Sequence, residues 1–244
     1  MGLVVDKTSR LVTVDHKHNR YCVTTVNGNP SVIFQNGLKI TSVFSRTKGR
    51  WDTSVGDNCP MLYALKRLNN LNTTPRDVAA LCVSFRKILP VFLESGFTWD
   101  WIIPLPSSSD VCGRFAGKVH KQSSIGIIQP EALKKISAAQ ALADVRNLHI
   151  SAKDKTKLKT SIFRFIKANG EEAPFQIKSV DTALRHHINP LIWGRCHSNT
   201  PPTKVLLVDD MVTSGTSLRC AAHVVAKRYP MAKIEALTIF GSSK

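Results

Sequence analysis

Lys204-Val205-Leu206-Leu207-Val208-Asp209-Asp210-Met211-Val212-Thr213-Ser214-Gly215-Thr216-Ser217 is the stretch that decides how this chain is read. Its four successive apolar residues, 205–208, suit a strand buried on both faces of a parallel sheet. Two carboxylates follow where that strand ends, and in open α/β sheets that edge is where ligands bind. A loop of small residues then opens directly onto a helix. Gly215 permits a tight backbone path, and Thr213, Ser214, Thr216 and Ser217 supply hydroxyls. A helix start presents unpaired N–H groups and partial positive charge, so a phosphate fits there. Carboxylates repel phosphate, so Asp209 and Asp210 must face hydroxyl donors or a hydrated Mg²⁺. A ligand with a phosphate at one end and vicinal hydroxyls nearby is a ribose 5-phosphate.

Outward from this stretch, a helix is expected over 217–229 and a final strand over 234–240. Upstream, 99–104 reads as a short apolar strand closing in Pro-Leu-Pro-Ser-Ser-Ser. Residues 112–121 and 130–147 have helical composition, with the strand-like 124–128 between them. Lys153, Lys155, Lys157 and Lys159 stand at every second position and read as a solvated basic loop or a mobile flap. A strand candidate follows at 162–166, then a turn at Asn169-Gly170, then a helix over 181–188. Thr74-Pro75-Arg76-Asp77 is a clear helix start, with a hydroxyl cap, proline at the first helical position and an acid in the first turn. Pro90 should kink or end that helix. Met61, Leu62, Leu65 and Leu68 suggest a shorter helix before it.

Residues 1–56 read as β, with short runs at 11–14, 21–26, 32–34 and 38–44. Asn36-Gly37 between the last two is a strong hairpin signal. Strands alternating with helices in the second half argue for a mainly parallel α/β sheet. The expected organisation is therefore a β-rich appendage over 1–56 and one α/β domain over 57–244.

The 244 residues carry 34 Lys+Arg against 17 Asp+Glu, a net charge of +17. Such an excess favours polyanionic partners, either nucleic acid or a heavily phosphorylated small molecule. No stretch approaches the roughly 20 apolar residues needed to cross a bilayer. The start, Met1-Gly2-Leu3-Val4-Val5-Asp6, has no signal-peptide apolar block. A cytoplasmic protein with no membrane partner is expected. The six cysteines are scattered singly, without the Cys-x-x-Cys spacing of a zinc ribbon or redox site. Adjacent residues of a helix point in different directions, so a joint metal site at His186-His187 is not expected.

The stretch 204–217 resembles the signature of type I phosphoribosyltransferases: four apolar residues, two acids, two mostly apolar residues, then a hydroxyl-rich loop around one glycine. A second, weaker resemblance is to the ComF-like branch. It rests on Tyr63-Ala64-Leu65-Lys66, Trp101-Ile102-Ile103-Pro104-Leu105-Pro106, Arg114-Phe115, Gln140 and Arg146-Asn147. The chain differs from that branch in lacking a four-cysteine ribbon and in the order Gly113-Arg114.

The resemblance implies a type I phosphoribosyltransferase-like sheet flanked by helices. It implies that Asp209 and Asp210 contact ribose hydroxyls and that Thr213, Ser214, Gly215, Thr216 and Ser217 hold the 5-phosphate. It further places the pyrophosphate near Pro104–Ser109, with Ser107 and Ser108 beside it and Arg114 and Lys118 as charge partners. On the residues alone, Ser107–Asp110 could equally cap the helix starting near Val111. The implied ligand is phosphoribosyl pyrophosphate or a nucleoside monophosphate, with Mg²⁺ held through substrate and through Asp209 and Asp210. A homodimer is compatible with this reading, as is a non-catalytic nucleotide sensor or a nucleic-acid-binding accessory protein on the same fold.

Overall fold

A computed structural model describes residues 2–47 and 58–243. The N-terminal strands are β1 (Gly2–Val5), β2 (Leu11–Asp15), β3 (Cys22–Val23), β4 (Ser31–Gln35) and β5 (Leu38–Arg46). Helix α1 (Pro60–Leu65), strand β6 (Asn72–Thr73) and helix α2 (Pro75–Leu93) follow. Then come β7 (Trp101–Pro104), α3 (Val111–Ser123), β8 (Ile127–Ile128), β9 (Leu133–Lys135), α4 (Ala138–Arg146) and α5 (Ala152–Asn169). After 3-10 turns at Ile177–Ser179 and Thr182–His187, β10 (Leu191–Trp193), β11 (Lys204–Met211), α6 (Thr216–Arg228) and β12 (Lys233–Ser243) complete the chain.

The fold is mixed α/β. A seven-stranded sheet runs β3-β5-β12-β11-β7-β8, with β4 also paired to β5. Strands β5, β12, β11, β7 and β8 are mutually parallel; β3 and β4 are antiparallel to β5. Strand β11 explains the layering. Leu206 and Val208 belong to the core shared with α1, α2 and α3, while Val205 and Leu207 belong to the core shared with α6. All four are fully buried, as a central parallel strand covered on both faces requires.

The N-terminal β region is only partly an appendage. Strands β1 and β2 form a small sheet with β6. Strand β5, however, pairs in parallel with β12 from Lys39↔Glu235 to Phe44↔Phe240, and so extends the central sheet. The expected domain boundary between 56 and 57 lies outside the described residues. Asn36 and Gly37, at φ 48° and 83°, make the two-residue hairpin turn that joins β4 to β5.

Four local readings are corrected. Of the two outcomes expected at Pro90, a kink or an end, the end does not occur: α2 continues to Leu93. Proline lacks the N–H that would satisfy the Arg86 carbonyl, and Gln122 Nε2 donates to that carbonyl instead at 2.9 Å. Residues 162–166 are not a strand, and the lysines of 153–159 lie neither in a loop nor in a flap. Both belong to α5, whose Leu158, Ile162 and Phe165 are buried at helical spacing. Ser151 caps α5, accepting from Asp154 N at 3.1 Å, and Gly170 ends it. Residues 130–147 are helical only from Ala138; 133–135 is a strand because Leu191–Trp193 supplies its partner. Finally, 182–187 winds as a 3-10 turn.

A third core over 136–188 is built from α4, α5 and the chain around Phe175, Val180, Leu184 and Ile188. Its segment 175–178 borders the C-terminal edge of the central sheet. Among the described residues no helix is long and apolar enough to cross a membrane.

Candidate functional site

Because β7 and β11 are parallel, with Val208 opposite Pro104, the turns that follow them emerge at one edge of the sheet. This places Ser107 and Ser108, from the turn after β7, beside Asp209 and Asp210 at the end of β11. A cleft of about 300 Å³ opens there, lined by both serines, both aspartates and Ser217. Lys66, Lys135 and Lys178 also line it, with Phe175 and Gln176. A cavity of about 140 Å³ adjoins it, sharing Asp209, Ile177, Lys178, Met211 and Ser217. The smaller cavity is formed by the loop 213–218, with Lys178 and Arg185 opposite.

The loop has the features an anion cradle needs. Gly215 stands at the N-cap of α6 with φ 64°, and no side chain caps the helix. Its first-turn amides are therefore left for a ligand. A Cβ on Gly215 would fall 1.9 Å from Gln35 Oε1, so glycine is required by space as well as by φ. Ser214 Oγ and Thr216 Oγ1 lie 3.0 Å apart, so the two hydroxyls are held together.

The two aspartates line one cleft but have different partners. Successive side chains point to opposite faces. Asp210 follows Leu206 and Val208 toward α1, is buried, and forms an ion pair with Lys66. Asp209 is part-exposed in both the cleft and the adjoining cavity. Its Oδ1 accepts from the Asp210 backbone N–H at 2.8 Å, and the Cys112 thiol lies 3.6 Å away. Burial, then the neighbouring Asp210 charge, pushes the Asp209 carboxyl up to about 7. Burial and the nearby Lys178 ammonium hold Lys135 below the usual lysine range. Burial and both carboxylates raise the Cys112 thiol, which stays protonated.

Cys112, Asp209 and Asp210 offer ligand atoms within 4.8 Å of one another. A hard cation such as Mg²⁺ takes oxygen ligands and keeps several from water or substrate. Asp209 suits it, Asp210 is already engaged by Lys66, and the Cys112 sulfur is too soft. These residues fit a Mg²⁺ shared with a substrate's own oxygens, and do not form an all-protein cage.

Arg114 and Lys118 do not join this site. Helix α3 buries Val111, Cys112, Phe115, Ala116 and Val119, which leaves Arg114 and Lys118 on its exposed face. Arg114 Nε instead bonds Asp110 Oδ2 at 2.6 Å, one helical turn away. Asp110 occupies the N-cap position of α3 without a side-chain cap bond, Ser107 Oγ accepts from Ser109 N at 3.4 Å, and Ser107 and Ser108 both line the cleft.

Other cations take their place: Lys66 from the end of α1, Lys135 from β9, and Lys178 and Arg185 from the segment after α5. Lys66 ends the stretch Tyr63-Ala64-Leu65-Lys66 noted above, but no local pattern assigns any of the four to the site, because they converge only through tertiary packing. Arg46 is a further unforeseen residue. It is buried at the end of β5, donates from Nη2 to the Val212 carbonyl at 3.1 Å, and bonds the Gly241 carbonyl through Nε. It thereby pins the entry to the loop 213–217 from the neighbouring strands. An arginine ending an apolar strand, Val43-Phe44-Ser45-Arg46, was the available signal.

The chain matches no protein-family model and no curated protein.

Proposed function

We propose that this protein is a phosphoribosyltransferase on a type I phosphoribosyltransferase-like fold, using phosphoribosyl pyrophosphate with Mg²⁺. One observation carries the reading. Asp209, a carboxylate without an ion-pair partner among the described residues, stands where the cavity of an uncapped helix start adjoins a cleft lined by Lys66, Lys135 and Lys178. An acid amid lysines and bare amides suits a ligand that is anionic at its ends and hydroxylated in its middle.

In this reading the amides and hydroxyls of 213–217 hold the 5-phosphate, with Lys178 and Arg185 opposite. Asp209 accepts from the ribose hydroxyls and fixes the ring. Ser107, Ser108 and Lys135 receive the pyrophosphate. Mg²⁺, when bound with the substrate, supplies positive charge against the leaving pyrophosphate. A nitrogen of the acceptor forms a bond to the anomeric carbon. The bond from that carbon to the pyrophosphate oxygen breaks, and the oxygen keeps the electron pair. The transition state is cationic at the sugar, so positioning and electrostatics suffice and no covalent nucleophile is needed. The acceptor is a nitrogenous base in this reading.

Calorimetric titration with phosphoribosyl pyrophosphate and Mg²⁺ tests it. Binding should occur in the native chain and weaken at least about tenfold in Asp209→Asn, the loss of about one charged hydrogen-bond set. No binding at millimolar ligand, or equal binding in the variant, would refute the reading.

A second reading has its own support in α5. Lys153, Lys157, Arg164 and Lys167 recur on one exposed face, and Phe163 beside them is 52% exposed. A cationic row with one available ring suits a single nucleic-acid strand. Retention of a labelled oligonucleotide that falls steeply with salt, without turnover of any base, would favour this accessory role.

A further inference from the structure

A groove lined by Gln35 and Arg219 lies beside the loop 213–217, with which it shares Thr216, and the proposed function leaves the rest of it unused. It measures about 650 Å³ and is bordered by the β4–β5 turn, α6 and the 3-10 turn 182–187. That volume is within the roughly 300–1,000 Å³ typical of small-molecule sites. Four side chains able to carry positive charge line it: Arg219, His186, His187 and His223. Among the described residues that line it none is acidic.

Arg219 is the telling residue. Its Nε is buried and finds no hydrogen-bond partner among the described residues. A guanidinium with an unsatisfied buried N–H is unfavourable, and a ligand acceptor on the part of the Arg219 side chain that lines the groove would offset that cost. The His186 and His187 rings lie 3.8 Å apart, which crowds two more potential donors onto the same rim. The rest of the groove has a different character. Leu38, Ile188 and Ile234 give it an apolar floor. A simple inorganic anion would use the rim and leave that floor bare. A nucleoside phosphate would use both, with phosphoryl oxygens on Arg219 and the histidines and its flat base on the floor.

We propose that this groove is a second binding site, for a nucleoside phosphate, distinct from the Asp209 cleft. Gln35 and Thr216 form its wall toward the loop. Gln35 is packed directly against Gly215, so an occupant of the groove touches the residue that shapes the phosphate loop from behind. The site thus sits where a nucleotide can bias the loop, although binding itself does not depend on the function proposed above.

The test is calorimetric titration of ADP into the full-length chain and into Arg219→Gln, His223→Gln and Ser214→Ala. His223 is exposed on α6, so its substitution spares the fold. The expected result is ADP binding weakened at least about tenfold by Arg219→Gln, as for loss of a charged hydrogen bond. A smaller loss is expected in His223→Gln, and none in Ser214→Ala. Absence of ADP binding at millimolar concentration overturns the proposal. So does binding that follows Ser214→Ala and ignores both groove variants. Inorganic pyrophosphate that matches ADP in affinity and in Arg219 dependence overturns the nucleoside assignment. Phosphoribosyl pyrophosphate is titrated into the same proteins. Its failure to bind beside a retained Arg219-dependent ADP site would sink the proposed function and leave the groove standing.

Discussion

Replacing Asp209 by Asn should make the protein more stable at pH 8 while weakening its binding of phosphoribosyl pyrophosphate. An acid whose pKa is higher in the folded state than in the unfolded chain destabilises the fold once pH exceeds the unfolded value. For Asp209 the folded value is about 7 against an ordinary 3.8, raised first by burial and then by Asp210. At about 1.36 kcal/mol for each pH unit, the difference amounts to roughly 4 kcal/mol. Solvent reaches part of this carboxylate, which screens the penalty, so about 2 kcal/mol is expected at pH 8. The penalty is complete above about pH 7, shrinks as pH falls, and is nearly gone at pH 4. Asparagine keeps an oxygen to accept the Asp210 N–H and carries no charge. Urea unfolding of both proteins at pH 4, 6 and 8 is the assay. The variant's midpoint should exceed the native one at pH 8 and converge with it at pH 4. An Asp209→Asn protein no more stable than the native chain at pH 8 would show that the carboxylate is not held against its own ionisation. The reasoning about a carboxylate poised for a ligand would then fail.

Three further outcomes follow from the same geometry. Lys66→Met leaves the buried Asp210 charge uncompensated and should cost about 3 kcal/mol in urea unfolding at pH 8, most of it recovered by adding Asp210→Asn. Gly215→Ala meets both a φ of 64° and Gln35 Oε1 at 1.9 Å; it should lose about 1–2 kcal/mol and the phosphate affinity, and adding Gln35→Ala should restore only the share due to the clash. Arg114→Ala and Lys118→Ala, both outside the cleft, should leave the affinity for phosphoribosyl pyrophosphate unchanged in the calorimeter.

Elements with strong local determinants were legible from the chain alone. The Asn36-Gly37 turn, the Thr74 cap of α2 and the apolar run of β11 each carry their cause within a few residues. Readings failed where a local cue was answered by a distant residue. Pro90 was tolerated because Gln122 bonds the carbonyl it frees. The lysines of 153–159 share a helix with Ile162, because a buried stripe through Leu158, Ile162 and Phe165 packs against the third core. Taking the basic and apolar halves of that segment separately hid their common period.

For the site, the sequence by itself determined the strand, the two acids and the hydroxyl loop around Gly215, since these are contiguous and their order dictates where the backbone amides and carboxylates stand. Only the tertiary structure decided which acid is available. Both acids line the cleft, but Lys66 engages Asp210 and leaves Asp209 without an ion-pair partner among the described residues. It also decided that Lys66, Lys135 and Lys178 line the cleft and that Lys178 and Arg185 line the cavity of the loop, while Arg114 lines neither. Charges from separate elements meet only when apolar faces have fixed how those elements pack, and that packing is a property of the whole chain.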